Sequence, residues 1–294
     1  MNSIDLHFHS TASDGGLPPA EVIRRAAERG ATLLALTDHD CTAGLAEAAA
    51  TASACGVPFL NGVEVSVSWQ QRHTVHIVGL GIDAANPVLQ AGLKSIRDGR
   101  VERARQMSAS LEKAGIHGAF DGAMRFAGNP EMVGRTHFAR FLVQSGEVKD
   151  VKTVFRKYLT NGKPGYVPHE WASLEDAVAW IRAAGGMAVI AHPGRYDMGR
   201  TLIERLILDF KAAGGEGIEI ASGSHSLDDM IKFALHAQRH ELYASAGSDF
   251  HAPGEGGRDV GSTQLLPPIC QPVWLPLAAR IQQPAANPAA NLAS

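Results

Sequence analysis

The chain has 294 residues, and 27 lysines and arginines against 30 acids leave a net charge of −3, which excludes an indiscriminate binder of nucleic acid or anionic membrane. With 45% hydrophobic and 19% charged residues and a mean hydropathy of −0.06, the composition is that of a globular protein able to bury a core in one or two domains, and wholesale disorder is excluded. Histidine is over-represented at 13 residues; it is the commonest metal ligand and the acid–base group of neutral pH.

Alternating residues predict a strand at 4–8, after which Pro18 and Pro19 open a helix through Val22, Ile23, Ala26 and Ala27 to Gly30. A strand at 33–37, a small-residue helix at 43–54 and strands at 58–65 and 74–81 follow. Later strands are expected at 187–191, 218–221 and 243–246, with helices at 174–184, 202–213 and 227–239 around them. Alternation at this spacing predicts an α/β fold with a mostly parallel sheet that closes as a TIM-like barrel. Between 87 and 165 it stops, and helices are expected at 88–114, 119–127, 135–143 and 152–159. The division is therefore a barrel from 1–86 and 166–266, a helical insert at 87–165 that caps the substrate, and a flexible tail at 267–294.

The amino terminus has no basic stretch followed by an apolar one, and no apolar run reaches the ~18–20 residues of a membrane span. A cytoplasmic protein with no membrane partner is expected. Cys41, Cys55 and Cys270 form no Cys-x-x-Cys, so any metal is expected on nitrogen and oxygen.

His7 and His9, one residue apart at a strand end, point to the same face and can share an ion. Asp14 follows in a Ser-Asp-Gly-Gly turn, as ligand or turn residue. The second strand ends in Thr37-Asp38-His39-Asp40, where Asp38 or Asp40 could orient His39 and Asp40 could instead cap the next helix. Glu64 and His76 lie in apolar strands, where an unpaired carboxylate would be costly to bury; His73, at odd spacing from His76, faces away. Ala191-His192-Pro193 and Asp249-x-His251 end two further strands. A parallel sheet gathers its strand ends into one rim, so His7, His9, Asp14, His39, Glu64, His76, His192, Asp249 and His251 are expected together, enough donors for two or three ions if Glu64 bridges.

These motifs, in this order, resemble those of the PHP (polymerase and histidinol phosphatase) family of amidohydrolase-like metal enzymes, across roughly residues 3–265. The resemblance implies a distorted (β/α)7 barrel and phosphate-ester hydrolysis with two or three divalent ions, manganese favoured and zinc or iron as alternatives. It implies one ion on His7, His9, Glu64 and Asp249, a second on Glu64, His76 and His192, and a third on Asp14, His39 and His251; some members carry histidine where this chain has Asp14. The insert, with Gly134-Arg135-Thr136-His137 and Phe155-Arg156-Lys157-Tyr158-Leu159, resembles the branch of nucleoside 3′,5′-bisphosphate phosphatases and 5′-to-3′ exonucleases of short RNA.

The expected reaction is attack of metal-activated hydroxide on the 3′-phosphate of a nucleoside 3′,5′-bisphosphate, with Asp38, His192 or His251 assisting departure. Arg135, with Arg100 or Arg103 and His137, is expected to hold the second phosphate; the competing role for these arginines is a solvated face. The alternatives are a 5′-to-3′ exoribonuclease on short oligonucleotides, a histidinol phosphatase and a non-catalytic metal-binding module. The partner is a small nucleotide or short RNA, with no obligate protein partner. His73, His117, His169, His225, His236 and His240 are read as surface or packing residues.

Overall fold

The computed structural model describes residues 3–285. Strands β1 (Ser3–Asp5), β2 (Ala31–Leu36), β3 (Phe59–Trp69), β4 (His73–Leu80), β5 (Met187–Ile190), β6 (Gly217–Ser222) and β7 (Tyr243–Gly247) form one sheet in sequential order. All pairs are parallel except those of β4, which runs antiparallel to β3 and β5. Beyond β1, the Leu6 amide donates to the Ala246 carbonyl and Asp249 to that of His7, which brings β7 beside the continuation of β1.

Both faces of the sheet are buried, so β2 from Leu33 to Leu36 reads as an unbroken apolar run rather than an alternation. Leu33 and Ala35 pack on one side with Leu6, Leu60, Val78, Leu80 and Val189. Leu34 and Leu36 turn to the other, against α1 (Pro19–Glu28) and α2 (Leu45–Ala54), whose Val22, Ile23, Ala26, Leu45, Ala48 and Ala52 recur at helical spacing. Helices α8 (Leu174–Ala183), α9 (Arg200–Ala212) and α10 (Leu227–Arg239) complete that layer through Val178, Ile207 and Phe233. Among the described residues no helix is long and apolar enough to cross a membrane.

The predicted helix at 88–114 is two helices, α3 (Pro87–Arg97) and α4 (Arg100–Lys113). The chain turns at Asp98 and Gly99, where a Cβ would stand 3.0 Å from the His169 ring. Leu89, Leu93 and Ile96 of α3 belong to the core beside the sheet. A separate cluster, including Ala104, Met107, Phe138, Leu142 and Leu159, joins α4, α5 (Ala119–Met124), α6 (Arg135–Gln144), α7 (Val151–Val154) and the wide turn Phe155–Leu159.

The stretch from Pro267, expected to be flexible, is instead tied down through Gln282. Val273 and Leu277 enter the inner cluster, the Val273 amide donates 2.9 Å to the Ala244 carbonyl, and Gln282 exchanges backbone hydrogen bonds with Phe59. Val273 and Leu277, with Trp274 and Ile281 packed beside them, seat the segment; the composition poor in apolar bulk begins only at Gln282. The remainder of that prediction, residues 286–294, lies outside the described residues.

Candidate active site

All nine predicted donors converge. Glu64, fully buried in β3, is the hub: its Oε2 lies 3.2 Å from His7 Nε2, 3.3 Å from His9 Nε2 and 3.0 Å from His39 Nδ1. Its Oε1 lies 3.0 Å from both His76 Nδ1 and His192 Nε2. Asp249 Oδ1 stands 3.7 Å from His7 Nε2 and 3.4 Å from His9 Nε2, and Asp14 Oδ1 stands 3.5 Å from His251 Nε2. His76 reaches the rim differently from the rest. Because β4 is antiparallel, the histidine lies in its amino-terminal half, opposite Ser66 of β3.

The donor atoms fit cations better than they fit one another. His7 Nε2, His9 Nε2, His39 Nδ1, Glu64 Oε2 and Asp14 Oδ1 are buried without a hydrogen-bond partner despite these short separations. Each such atom would cost about 1–3 kcal/mol left unmatched, and a shared divalent ion removes that cost. Burial alone would raise the Glu64 carboxyl, but the imidazoles of His39, His7 and His76 outweigh it and hold it well below the usual range. For Asp249, burial is likewise outweighed, chiefly by the Arg195 guanidinium. Both are therefore anionic donors at neutral pH.

Backbone strain falls at two rim residues and beside a third. Asp40, His192 and Asp249 have φ of 45°, 27° and 53°, a region costing of order 1–3 kcal/mol for residues with a side chain. In His192 the following Pro193 adds a second restriction.

Two carboxylates were assigned differently from the sequence. Asp38 accepts from the Ser10 amide (2.7 Å), Ser10 Oγ (2.7 Å) and Ser13 Oγ (2.6 Å), so it pins the loop after β1 and is not free to act as an acid. Asp40 neither orients His39 nor caps α2; it accepts from Ser66 N and Oγ and from Arg100.

Glu219 of β6, not singled out in the sequence, accepts from His7 Nδ1 at 2.7 Å and from the His192 amide at 2.5 Å. A proton held on Nδ1 leaves the His7 Nε2 lone pair facing the rim. Gly247 permits this approach, since a Cβ there would meet His7 Cβ at 2.2 Å. The signal in the sequence was the same as for Glu64, a lone carboxylate in an apolar strand. Glu219→Ala should weaken metal binding about 10–100-fold, read by metal titration of the apoprotein; an unchanged affinity would remove Glu219 from this role.

The helical segment closes one wall of a cavity over the rim, lined by Arg100, Arg103, Arg135, Thr136, Phe155 and Trp171. Arg100 stacks on Trp171 at 4.7 Å and is paired with Asp40. Arg103 donates to the Val167 carbonyl, and Arg135 lies 5.8 Å from the Phe155 ring. Among the described residues neither Arg103 nor Arg135 has a carboxylate within salt-bridge distance. Burial, with the neighbouring Arg135 and Arg100, pushes the Arg103 guanidinium down to about 10. Arg135 and Thr136 also stand at the amino terminus of α6, where backbone amides favour an anion. Arg195, missed in the sequence, lines the cavity and pairs with Asp249.

His137, expected beside a phosphate, is instead fully buried and outside that lining. Its Nδ1 accepts the Gly134 amide at 3.0 Å, capping α6 from within. Burial pushes its imidazole down to about 4. The unfolded chain therefore binds the extra proton between about pH 6.5 and pH 4, and stability falls as pH falls through that window. His137→Asn, which keeps an acceptor for Gly134, should remove about 3 kcal/mol of that acid loss. Urea midpoints across the window test this, and parallel slopes in variant and wild type would refute it.

A sheet rim of nitrogen and oxygen donors under a cationic cavity defines the class: an α/β protein built around a candidate metal centre. The PHP domain model matches residues 5–220, and the chain belongs to that family. It is 78% identical over 285 residues to the 3′,5′-nucleoside bisphosphate phosphatase of Chromobacterium violaceum, covering 97% of this chain and 100% of that one. It is 44% identical over 270 residues to a 5′-3′ exoribonuclease of Haemophilus influenzae, covering 92% and 97%. The structure of an amidohydrolase from C. violaceum with bound sulfate superimposes with a TM-score of 0.94 at 77% identity, covering 96% of this chain and 98% of that one. The fold expected from the sequence, a PHP-type α/β architecture with a mostly parallel sheet, is thus the observed one.

Proposed function

We propose that the protein is a metal-dependent phosphoesterase that removes the 3′-phosphate of nucleoside 3′,5′-bisphosphates, such as adenosine 3′,5′-bisphosphate, giving the nucleoside 5′-monophosphate and phosphate. The observation that carries this reading is one cavity with the candidate metal rim on one wall and, on the other, the buried Arg103 and half-buried Arg135, neither with a carboxylate partner among the described residues. A substrate with one phosphate would leave one of these sites unmatched. The name of the C. violaceum relative supports the same substrate class.

In this reading His7, His9, Glu64 and Asp249 hold one ion, Glu64, His76 and His192 a second, and Asp14, His39 and His251 a third; His7, His9 and Asp249 lie close together, as do Asp14, His39 and His251, while Glu64 lies close to His7 with His192 and to His39 with His76. Bound manganese, or zinc or iron, would acidify a water for attack on phosphorus and offset charge on the phosphoryl oxygens. The chain supplies the rest. Arg103 and Arg135 hold the 5′-phosphate, Arg195 orients Asp249, and Trp171 and Phe155 offer faces to the base and ribose. With Asp38 taken up by Ser10 and Ser13, and His192 and His251 given to the ions, the departing 3′-oxygen takes its proton from water. The segment from α4 to Phe155–Leu159 serves as the substrate cap. The enzyme is placed in the cytoplasm, in keeping with three unpaired cysteines.

Turnover of adenosine 3′,5′-bisphosphate, a short 5′-phosphorylated oligoribonucleotide and histidinol phosphate, side by side with Mn²⁺, tests the proposal. The bisphosphate should have the highest kcat/KM. A preference for the oligonucleotide would make the chain an exoribonuclease, as in the H. influenzae relative's name, and no turnover of any ester would leave a binding module.

A further inference from the structure

A second group of donors lies on the outer helices, and none of its members lines the cavity. His236 and His240 are four residues apart, at the end of α10, so their rings project from one face. The ring planes are 12° apart, with centroids separated by 6.2 Å. Glu204 of α9 meets both, with Oε2 3.3 Å from His236 Nδ1 and Oε1 2.9 Å from His240 Nε2.

These distances suit hydrogen bonds, yet neither ring nitrogen makes one, although both atoms are buried. The carboxylate oxygens lie off the axes along which an imidazole nitrogen donates. Each of the three residues also offers one ligand atom within 4.8 Å of those of the other two, the proximity expected of ligands around an ion. Tetrahedral Zn–N and Zn–O bonds of about 2.0–2.2 Å place neighbouring donors roughly 3.3–3.5 Å apart, the separation of Glu204 from His236, with His240 slightly nearer. The surroundings permit it. Burial holds the His236 imidazole below the ordinary histidine range in spite of Glu204, which keeps its lone pair available at neutral pH. Three cations compete: Arg239 Nη1 stands 3.9 Å from Glu204 Oε2 but is mostly exposed, Lys232 is one turn before His236, and Lys211 is already bonded to the His240 carbonyl.

We propose that Glu204, His236 and His240 form a separate site for a borderline divalent cation such as Zn²⁺, which ties α9 to the end of α10. Imidazole with carboxylate favours zinc, nickel or copper over magnesium or calcium, and three protein ligands leave a position for water. The proposal departs from the reading of His236 and His240 as surface or packing residues.

Chelated protein equilibrated by dialysis against Zn²⁺ should hold one more ion per chain than His240→Ala or Glu204→Gln, while the Mn²⁺-supported turnover of both variants is unchanged. Equal zinc counts in wild type and variants would overturn the proposal. Anomalous diffraction at the zinc edge from wild-type crystals reads the site without any variant. Density between Glu204, His236 and His240 is expected, and density confined to the barrel rim would overturn it.

Discussion

Glu64→Gln should lower kcat for the phosphate ester by about 10³-fold, and exhaustive chelation should abolish turnover until Mn²⁺ is restored. The size of the effect follows from position. Glu64 is the one carboxylate within reach of five imidazoles, and both of its oxygens are used, Oε2 toward His7, His9 and His39 and Oε1 toward His76 and His192. An amide keeps the shape but removes the charge and turns a donor toward ring nitrogens. A loss of several kcal/mol of transition-state stabilisation is the scale associated with a misplaced catalytic ion, and about 4 kcal/mol is the 10³-fold stated. Stability should move the same way. Without metal, the imidazoles around Glu64 hold its carboxyl well below the usual range, so the anion stabilises the fold at neutral pH and the chelated variant should melt below the chelated wild type. Metal content and kcat both unchanged in Glu64→Gln would remove Glu64 from the centre of the scheme.

The second large effect is on selectivity. Arg135→Ala or Arg103→Ala should reduce kcat/KM for adenosine 3′,5′-bisphosphate roughly 30- to 150-fold, about 2–3 kcal/mol, while a nucleoside 3′-monophosphate loses far less. The premise is that the guanidinium groups of Arg103, buried, and Arg135, half-buried, face the cavity with no carboxylate partner among the described residues. Holding such cations apart from any anion is unfavourable in the free protein, which is why burial and mutual repulsion lower their pKa values. A bound phosphate relieves it. Removing either arginine should therefore raise the melting temperature of the free protein as it lowers specificity, a trade characteristic of binding sites. Lysine at 135 should rescue only part of the loss, because it lacks the planar pair of donors. Equal losses on the mono- and bisphosphate would show that these arginines support the fold of the cap and not the second phosphate.

Much of this centre was legible because its ligands are attached to strand ends. His7-x-His9, His39, His192 and Asp249-x-His251 each sit where an apolar run stops, and a sheet in sequential order collects those stops at one rim. The antiparallel course of β4 was also available in principle. The predicted strands at 58–65 and 74–81 leave too few residues for a parallel crossover, which needs a dozen or more, and the hairpin turn closes with Gln70 and Gln71 both at positive φ. Period alone, however, gives no strand direction.

Other roles could not be read in this way. His137 looked like a phosphate contact because it follows Arg135 and Thr136, which do face the cavity; one further step around α6 turns its ring into the core. Asp38 and Asp40 flank His39 in sequence but act on Ser10, Ser13, Ser66 and Arg100, partners up to 60 residues away. Arg195 lies three residues past His192, in a single turn whose direction depends on Pro193 and the strained φ of His192.

The sequence by itself determined the donor inventory, the side of the sheet on which it gathers and the family, since side-chain chemistry and the period of a strand are local properties. Only the tertiary structure decided which carboxylate lies among the rim imidazoles and which is taken up by serines, which arginines lack a carboxylate partner among the described residues, and that Glu204 stands across from His236 and His240. Those outcomes depend on what a side chain meets after the chain has folded back on itself. For charged and polar groups that partner, more than the residue type, decides whether burial is tolerated, and so whether the group is held in reserve for a ligand.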